Sequence, residues 1–392
     1  MTTGARVSSG VPLALYVHLP WCVRKCPYCD FNSHALDPAQ IPDGAYVDAL
    51  LRDLAFSAAG TGGREIGSVF LGGGTPSLFS AESITRLIDG IAARTPLAAD
   101  AEITLEANPG TVEARRFGAY REAGVNRLSI GVQSFSDDAL RGLGRIHGAA
   151  EARAAIHIAH GAGFRNVNLD IMYGLPAQTP EQAMFDLEEA VAAAPTHLSW
   201  YQLTLEPNTV FHAAPPQLPD ADVTWEMQCM GEALLEEAGF AQYEVSAYAR
   251  EEGRCRHNLN YWTFGDYLGI GAGAHAKISD MNVGAIRRER RHALPLRYME
   301  LAGTQAGVAE TRVPDLQEII FEFLLNACRL RQGFTTALFS ARTGLAADLL
   351  EDRLAPACAH GYIEYGGGDV RVTAHGRRFL NDLLEMFLPD AK

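Results

Sequence analysis

The sequence predicts an α/β fold, a parallel sheet covered by helices, followed by a smaller helical part. Short apolar runs alternate with amphipathic helix patterns across the first 207 residues. Several of these runs are nearly apolar on both faces, which is typical of parallel strands that lie under helices. Polar residues gather in or just after the C-terminal parts of the runs, the face that carries the chemistry of a (β/α) barrel. This pattern allows an open doubly wound sheet or a barrel, complete or partial.

The predicted strands and helices follow one another at regular intervals. The strand candidates span residues 13–20, 68–73, 102–109, 127–134, 166–174 and 198–207. The helix candidates between them span residues 44–59, 81–94, 112–123, 149–162 and 181–194. Ser80 and Thr111 are suitable N-caps for two of these helices, and Pro180 suits a first helical turn. The order indicates strand–helix units in series.

After about residue 219 the regular alternation of strand and helix patterns ends. A long helix pattern at 222–238 precedes a strand-like segment at 243–248, and the basic run 287–291 has the composition of a solvated loop. The helical pattern of residues 315–388 is interrupted by a predicted hairpin that turns at 366–369. We therefore expect three parts, a barrel that holds the site, a segment that covers it, and a winged-helix-like C-terminal domain: residues 1–220, 221–310 and 311–392.

The composition excludes several classes of protein. Of 392 residues, 47% are hydrophobic and 20% are charged, which is too apolar for a disordered chain. The net charge of −14 argues against a general electrostatic grip on nucleic acid. Apolar runs stay well short of the roughly 18 residues that a membrane helix needs. We therefore expect a cytoplasmic protein that does not bind nucleic acid.

Three of the seven cysteines, Cys22, Cys26 and Cys29, form a C-x3-C-x2-C motif directly after the first predicted strand. Three thiolates on one short loop suit three corners of a cubane iron–sulfur cluster and leave one iron without a protein ligand. A zinc site completed by His18 or His34 is the alternative, although zinc ligands come more often as two separated pairs. The neighbouring Arg24 and Lys25 are expected to favour the thiolate forms.

Several strings resemble those of radical S-adenosylmethionine (SAM) proteins. In matching order they are YVHLPWCVRKCPYCDFNSH, GGGTPS, EANP, IGVQSF, DIMYGLPAQT and HNLNYW, and they cover residues 13–277. The first string is similar to the branch that contains oxygen-independent coproporphyrinogen III oxidase and the HemW-type heme chaperones. The resemblance implies a partial (β/α)6 TIM-type barrel, a [4Fe–4S] cluster on the three cysteines, and SAM bound at the open iron.

The resemblance also implies which residues bind SAM. Backbone groups of the glycine loop would approach the methionyl group closely, because glycines leave room for it. The other implied contacts come from polar side chains near the cluster loop and at strand ends. Together the implied cofactor-binding residues are Gly73, Gly74, Thr75, Tyr16, Tyr28, Glu106, Gln133, Arg145 and Asp170, with Thr204 as a further candidate. No residue is assigned a catalytic role.

Two features favour the heme chaperones over the oxidase. Phe31 stands where the oxidase has a fourth cysteine, and only about a dozen residues precede Leu13. The motif at His257, HNxxYW, resembles one linked to heme binding in the chaperones, which implies that His257 is an axial ligand. Cys255 is a second candidate ligand, and a hydrogen-bonded structural histidine is the alternative for His257. The neighbouring arginines suited to heme propionates are Arg250, Arg254 and Arg256.

The resemblance therefore implies a heme chaperone with three cofactors: a [4Fe–4S] cluster, SAM and heme. Its implied partners are apo-hemoproteins such as respiratory enzymes and an electron donor, and peripheral association with a membrane is compatible with that role. The alternative is an enzyme, a coproporphyrinogen III dehydrogenase of porphyrin biosynthesis. A third hypothesis is a radical SAM enzyme with another substrate.

Overall fold

The computed structural model describes residues 10–110, 114–280 and 285–389. Within these residues the main sheet has twelve strands. In chain order they are β1 (Leu13–Leu19), β4 (Ile66–Gly73), β5 (Leu97–Ala107), β6 (Arg127–Gln133), β7 (Asn166–Tyr173), β8 (His197–Gln202), β9 (Ala241–Glu244), β10 (Ala247–Ala249), β11 (Asp266–Ile270), β12 (His275–Asp280), β13 (Ala285–Arg291) and β14 (Val308–Arg312). Two short strands form a separate parallel pair, β2 (Trp21–Cys22) and β3 (His34–Ala35).

The order across the main sheet is β14-β13-β12-β11-β1-β4-β5-β6-β7-β8-β10-β9. The six strands from β1 to β8 are parallel, and β11 adds a seventh parallel strand beside β1. The remaining strands extend both sides in antiparallel pairs. The prediction of a partial (β/α)6 barrel is confirmed.

Helices connect and cover the strands. Those of the barrel are α1 (Asp43–Ala58), α2 (Ala81–Ala92), α3 (Phe117–Glu122), α4 (Asp137–Gly142), α5 (Ala149–Gly161), α6 (Pro180–Ala192), α7 (Val210–Ala213), α8 (Ala221–Glu237), α9 (Arg256–Trp262) and α10 (Pro295–Leu301). Short 3-10 helices lie at Pro38–Gln40, Ala59–Thr61, Pro76–Leu78 and Gln305–Gly307. Ser80 caps α2 and Pro180 opens α6 as expected, whereas Thr111 lies outside the described residues.

The parallel strands alternate strictly between two environments. Outward side chains such as Leu128, Leu169 and Leu198 are fully buried against the helices. Inward side chains such as Ser129 and Asn168 are also buried, but they are polar. The expectation of strands apolar on both faces is therefore wrong for the inner face, because the barrel interior is lined with hydrogen-bonding groups.

The C-terminal part has the element order of a winged helix. After α11 (Leu316–Ala327) come β15 (Phe334–Thr335), α12 (Thr336–Thr343), α13 (Asp348–Ala359), β16 (Ile363–Gly366), β17 (Asp369–Val372), α14 (Ala374–Arg378) and α15 (Leu380–Glu385). The predicted hairpin is β16–β17, and β15 completes a three-stranded sheet. Its core includes Phe264 and Ile286, so this part packs on the preceding segment. The three domain boundaries stay a prediction.

Two local predictions were wrong. The segment 243–248 is not one strand but two, β9 and β10, which pair with each other. The basic run 287–291 is not a loop but the strand β13. Its last residue, Arg291, is 2% exposed because Asp53 and Glu289 neutralise its guanidinium. In the part of the chain that the structure describes, no helix is both long and apolar enough to cross a membrane.

The ion pair between Asp53 and Arg291 joins α1 to β13. Arg291 Nε donates to both Asp53 carboxylate oxygens at 3.0 and 3.1 Å, and Tyr298 Oη donates to Asp53 at 2.9 Å. Removal of Asp53 leaves the buried guanidinium of Arg291 with Glu289 as its remaining carboxylate partner among the described residues. We predict that Asp53→Ala lowers the free energy of unfolding by about 3–5 kcal/mol, measured by urea denaturation.

The matched control for Asp53→Ala is Asp48→Ala on the same helix. Asp48 pairs with Arg86, but its side chain is 60% exposed. An exposed pair contributes only about 0–1 kcal/mol, so this variant should unfold nearly as the parent does. Equal losses in the two variants would contradict the buried role of Asp53.

Candidate functional site

The three cysteines lie on a loop that is fixed at both ends. Cys22 ends β2, and the parallel pairing of β2 with β3 closes the loop behind it. Asn32 Nδ2 donates to the carbonyls of Ala272 and Ala293, both at 2.9 Å. His18 Nε2 donates to the Asn32 carbonyl at 2.9 Å. The loop is thus held in place by hydrogen bonds that it donates to the β11–β12 turn and to the segment after β13, and by one that it accepts from β1.

The two histidines that were candidates for a zinc site are engaged elsewhere. His18 Nδ1 accepts from Tyr16 Oη at 3.1 Å, while its Nε2 is bound to the Asn32 carbonyl. His34 Nε2 lies 3.2 Å from Asn32 Oδ1. Among the described residues, no three His, Cys, Asp or Glu side chains converge on a position for one metal ion. This arrangement does not favour the zinc alternative, since a zinc ion needs its ligands within about 2.3 Å of one point.

The ionisation of Cys22 differs from the expectation. Burial raises the pKa of its thiol, which outweighs the opposing effects of a hydrogen bond from Ser33 and of the Lys25 charge. Lys25 instead donates to the Phe31 carbonyl at 2.9 Å. The charge of Lys25 favours the thiolate as expected, but burial is the larger effect, so metal binding would have to supply the driving force for ionisation.

A cavity of about 530 Å³ opens over the cysteine loop at the C-terminal ends of the strands. We call it the cysteine cavity. It brings together most of the side chains singled out from the sequence. Its lining includes Cys22, Cys26, Cys29, Tyr28, Gly73, Gly74, Thr75, Glu106, Gln133, Arg145, Asp170 and Thr204. Phe31 also lines the cavity and is 59% exposed.

The glycine loop is required by the protein's own packing. A Cβ atom on Gly73, where φ is +113°, would lie 2.4 Å from the His18 ring. A Cβ atom on Gly74 would lie 2.5 Å from the Trp21 carbonyl oxygen. Both residues also line the cavity with their backbone. Glycine is therefore needed here whether or not a ligand approaches, and the motif by itself does not identify one.

Two buried carboxyl groups, those of Glu106 and Asp170, line the cysteine cavity. Glu106 Oε2 accepts from the Gly73 amide at 3.1 Å. Burial, with a smaller effect of the Asp170 charge, raises the pKa of Glu106 to about 7. Burial also raises the pKa of Asp170, although hydrogen bonds from Asn168 and Ser129 oppose the rise. A cationic group bound here would relieve this repulsion, which suits the amino group of a bound amino acid.

Arg145 ties the cavity wall to the cysteine loop. Its Nη2 donates to Asn108 Oδ1 at 2.6 Å and to the Gly131 carbonyl at 2.8 Å, and Nη1 lies 3.8 Å from Cys26 Sγ. Gln133 has φ +70°, a strained conformation for a residue other than glycine. Its Oε1 accepts from Tyr201 Oη at 2.8 Å. The two side chains are therefore held rigidly before any ligand binds.

His257 lies in a second cavity, of about 600 Å³, that adjoins the first. We call it the His257 cavity. Phe31, Gly73, Glu106 and Asp170 belong to both linings. Tyr16, expected beside the cluster, lines this second cavity instead.

The imidazole of His257 is buried among aromatic rings. Its centroid is 5.0 Å from that of Phe70 and 5.2 Å from that of Tyr261. Nδ1 is 3.3 Å from Ser68 Oγ, whereas Nε2 has no hydrogen-bond partner among the described residues. Burial lowers the pKa of His257 to about 3, so the ring is neutral at ordinary pH. A neutral imidazole with a free nitrogen is the form that ligates iron.

The arginines expected to hold propionates do not reach this cavity. Arg250 packs over the Phe240 ring, Arg254 lies over Tyr243, and Arg256 pairs with Asp100. None of the three lines the His257 cavity. Cys255 does line it, but its thiol is 3.6 Å from Glu102 Oε1, and burial raises its pKa to about 12.

Sequence reasoning missed a network beneath the two carboxyl groups. Asn168 Nδ2 donates to Ser129 Oγ at 2.7 Å and to Asp170 Oδ1 at 2.8 Å. His197 Nδ1 lies 2.6 Å from Asn168 Oδ1, and Ser199 donates to the same oxygen. The sequence pattern that could have predicted this network is the occurrence of polar residues at every second position in strands that are otherwise apolar.

Comparison with known proteins gives consistent matches. Residues 16–190 match the Radical SAM superfamily, and residues 315–379 match the HemN C-terminal domain. The chain is 51% identical over 383 residues to the heme chaperone HemW of Escherichia coli (strain K12), covering 97% of this chain and 99% of that protein. It is 41% identical over 288 residues to the mitochondrial radical S-adenosyl methionine domain-containing protein 1 of Mus musculus, covering 72% of this chain and 65% of that one.

Among solved structures, coproporphyrinogen III oxidase (HemN) from Escherichia coli, a radical SAM enzyme, matches with a TM-score of 0.80. The two sequences are 25% identical, and the match covers 96% of this chain and 90% of that one. The similarity therefore extends through both the barrel and the C-terminal part.

The raised pKa of Glu106 has a consequence for stability. The folded state favours the protonated carboxyl of Glu106. The contribution of this group to the free energy of unfolding therefore becomes unfavourable as the pH rises from about 4.5 to 7. We predict that Glu106→Gln raises the free energy of unfolding of the ligand-free protein by roughly 1–3 kcal/mol at pH 8. The difference should vanish near pH 4.5, which urea denaturation at the two pH values would measure.

The control for Glu106→Gln is Glu188→Gln, which removes an exposed carboxylate on α6. It should change the free energy of unfolding little at either pH. If Glu106→Gln destabilised the protein at pH 8, the carboxyl would be stabilising and not strained.

Proposed function

This chain belongs to the HemW family of radical SAM proteins, and on that premise we propose that it is a heme chaperone. In this role it would bind heme and transfer it to apoproteins; the Escherichia coli relative is named a heme chaperone. It would hold a [4Fe–4S] cluster and SAM in the cysteine cavity and heme in the adjoining one.

The observation that carries the proposal is the unpartnered Nε2 of His257. Buried polar atoms in folded proteins are almost always hydrogen-bonded, so an exception calls for an explanation. His257 itself lines a cavity with aromatic walls that suit a flat, apolar macrocycle. Trp262 Nε1 in the same lining is also without a partner among the described residues. A heme iron bound to His257 Nε2 would satisfy the imidazole.

We propose that Cys22, Cys26 and Cys29 ligate the cluster. When bound, the cluster and SAM supply one-electron chemistry. The chain's own residues bind and orient SAM. Glu106 and Asp170 would face its amino group, since their mutual repulsion favours a cation there. Further contacts would come from Gly73, Gly74, Thr75, Tyr16, Tyr28, Gln133 and Arg145.

The partners follow from the proposed role. Acceptors would be apo-hemoproteins such as respiratory enzymes, and an electron donor would serve the cluster. Peripheral contact with a membrane would bring the chaperone to membrane-bound acceptors. We also propose that residues 1–220 form the barrel that holds the cluster and SAM, that residues 221–310 cover this barrel, and that residues 311–392 form a separate domain.

The second candidate function is coproporphyrinogen III oxidation. The full-length structural match to that enzyme favours it. Against it stands Phe31, where the oxidase carries a further cysteine. Incubation of the cluster-loaded protein with coproporphyrinogen, SAM and a reductant distinguishes the two functions, since only the enzyme produces protoporphyrinogen.

The cluster assignment is tested by metal analysis. Anaerobic reconstitution should give about four iron and four sulfide per chain. We predict that alanine at Cys22, Cys26 or Cys29 abolishes nearly all of this iron, because each thiolate holds one corner. Cys229→Ala, which removes an exposed thiol on α8, is the control and should keep full iron content. Retention of the cluster in Cys22→Ala, or stoichiometric zinc in the parent, would contradict the assignment.

The heme assignment is tested by titration followed by visible absorption. We predict that His257→Ala weakens heme binding by about tenfold or more, because the iron loses its axial nitrogen, and that the spectrum of the complex changes. His157→Ala, an exposed histidine on α5, should bind heme as the parent does. An unchanged affinity and spectrum in His257→Ala would remove His257 as the ligand.

A further inference from the structure

The sheet face that lines the His257 cavity continues past β1 into the antiparallel strands. Tyr267 on β11 pairs with Lys277 on β12, and His275 on β12 pairs with Arg290 on β13. On β14, Arg312 pairs with Arg288 and Glu310 pairs with Arg290. Residues in register on adjacent strands point to the same side of a sheet. The face therefore carries aromatic residues first and arginines further out.

A third cavity, of about 360 Å³, lies over these arginines, and we call it the arginine cavity. Tyr267 and His275 line both this cavity and the His257 cavity, so the two adjoin. Tyr261 stacks on Tyr267 with centroids 4.3 Å apart, and Arg288 Nη1 donates to Tyr267 Oη at 3.0 Å. Adjacent strands are about 4.8 Å apart. The arginines on β13 thus stand roughly 10 Å from β11.

The arginines of this cavity differ in how firmly they are held. Arg288 binds Glu322 as well as Tyr267, and its side chain is largely buried. Arg290 pairs with Glu310 at 3.1 Å, and Arg312 pairs with Glu318 and Glu322 at 2.7 Å. The side chains of Arg290 and Arg312 are 42% and 43% exposed. Exposed ion pairs contribute little free energy, so these two can exchange a glutamate for another carboxylate.

We propose that Arg290 and Arg312 bind the carboxylates of a tetrapyrrole whose ring occupies the His257 cavity. The proposal rests on the proposed function and identifies the feature of the ligand that this protein recognises. The planar guanidinium of arginine presents paired donors that match a carboxylate. Two glutamates that pair with these arginines, Glu310 and Glu322, also line the cavity. Recognition is therefore an exchange of partners in which a ligand carboxylate displaces Glu310 from Arg290.

The test compares heme with heme dimethyl ester, which has the same ring and iron but no free carboxylates. The full-length protein should bind heme about tenfold more tightly than the ester. Arg290→Gln and Arg312→Gln should each weaken heme binding by about tenfold and change binding of the ester by less than about twofold. Glu310→Gln should strengthen heme binding about threefold, because Arg290 loses its internal competitor.

The matched control is Arg287→Gln. Arg287 lies on the same strand but lines a cavity on the opposite face, where it pairs with Glu289. It removes the same charge and should change heme binding by less than about twofold. Thermal melts of each variant, followed by circular dichroism, establish that the fold is retained.

The outcomes separate the two proposals. Equal affinities of the parent for heme and for the ester would overturn the carboxylate site and leave the heme function standing. Equal losses in Arg287→Gln and Arg290→Gln would also overturn it, because the effect would then be one of net charge. Failure of the parent to bind either compound would overturn both proposals.

Discussion

The interior of the barrel is polar, and its buried groups must be hydrogen-bonded. An unpaired buried donor or acceptor costs about 1–3 kcal/mol, so the inward side chains of neighbouring strands satisfy one another. Asn168 illustrates this constraint. Its Nδ2 donates to Ser129 and Asp170, and its Oδ1 accepts from His197 and Ser199. The same constraint makes exceptions informative. Nε2 of His257 is one such exception among the described residues.

The cysteine cavity also holds two buried carboxyl groups whose ionisation is unfavourable. Glu106 and Asp170 both have raised pKa values because they are buried, and the charge of Asp170 adds to the rise at Glu106. A protein without a cationic ligand would gain stability from replacing one of them. Perturbed carboxyls of this kind cluster at functional sites. The nearby rigid elements, Arg145 and the strained backbone of Gln133, are consistent with a pocket organised before its ligand arrives.

The sheet extension beyond β1 connects the barrel to the rest of the molecule. On its outer face, Arg291 is neutralised by Asp53 of α1, which fixes β13 against the helix layer. On its inner face, His275 lines the His257 cavity, and its partner across the strands, Arg290, lines the adjoining arginine cavity. The basic run 287–291, which has the composition of a solvated loop, therefore divides between the two faces of β13, because alternate side chains of a strand point to opposite sides. The side chain of Arg291 anchors the strand to α1, whereas those of Arg288 and Arg290 line the arginine cavity.

The amino-acid sequence by itself determined the fold class, the cysteine loop and the family, because these depend on local spacing. Cys22, Cys26 and Cys29 are neighbours in the chain, and the strands and helices follow from periodicity. Only the tertiary structure decided which distant side chains share a cavity. Arg250, Arg254 and Arg256 are close to His257 in sequence but do not line its cavity, whereas Arg290 stands beside it. The reason is that strand register, not distance along the chain, sets the face on which a side chain emerges.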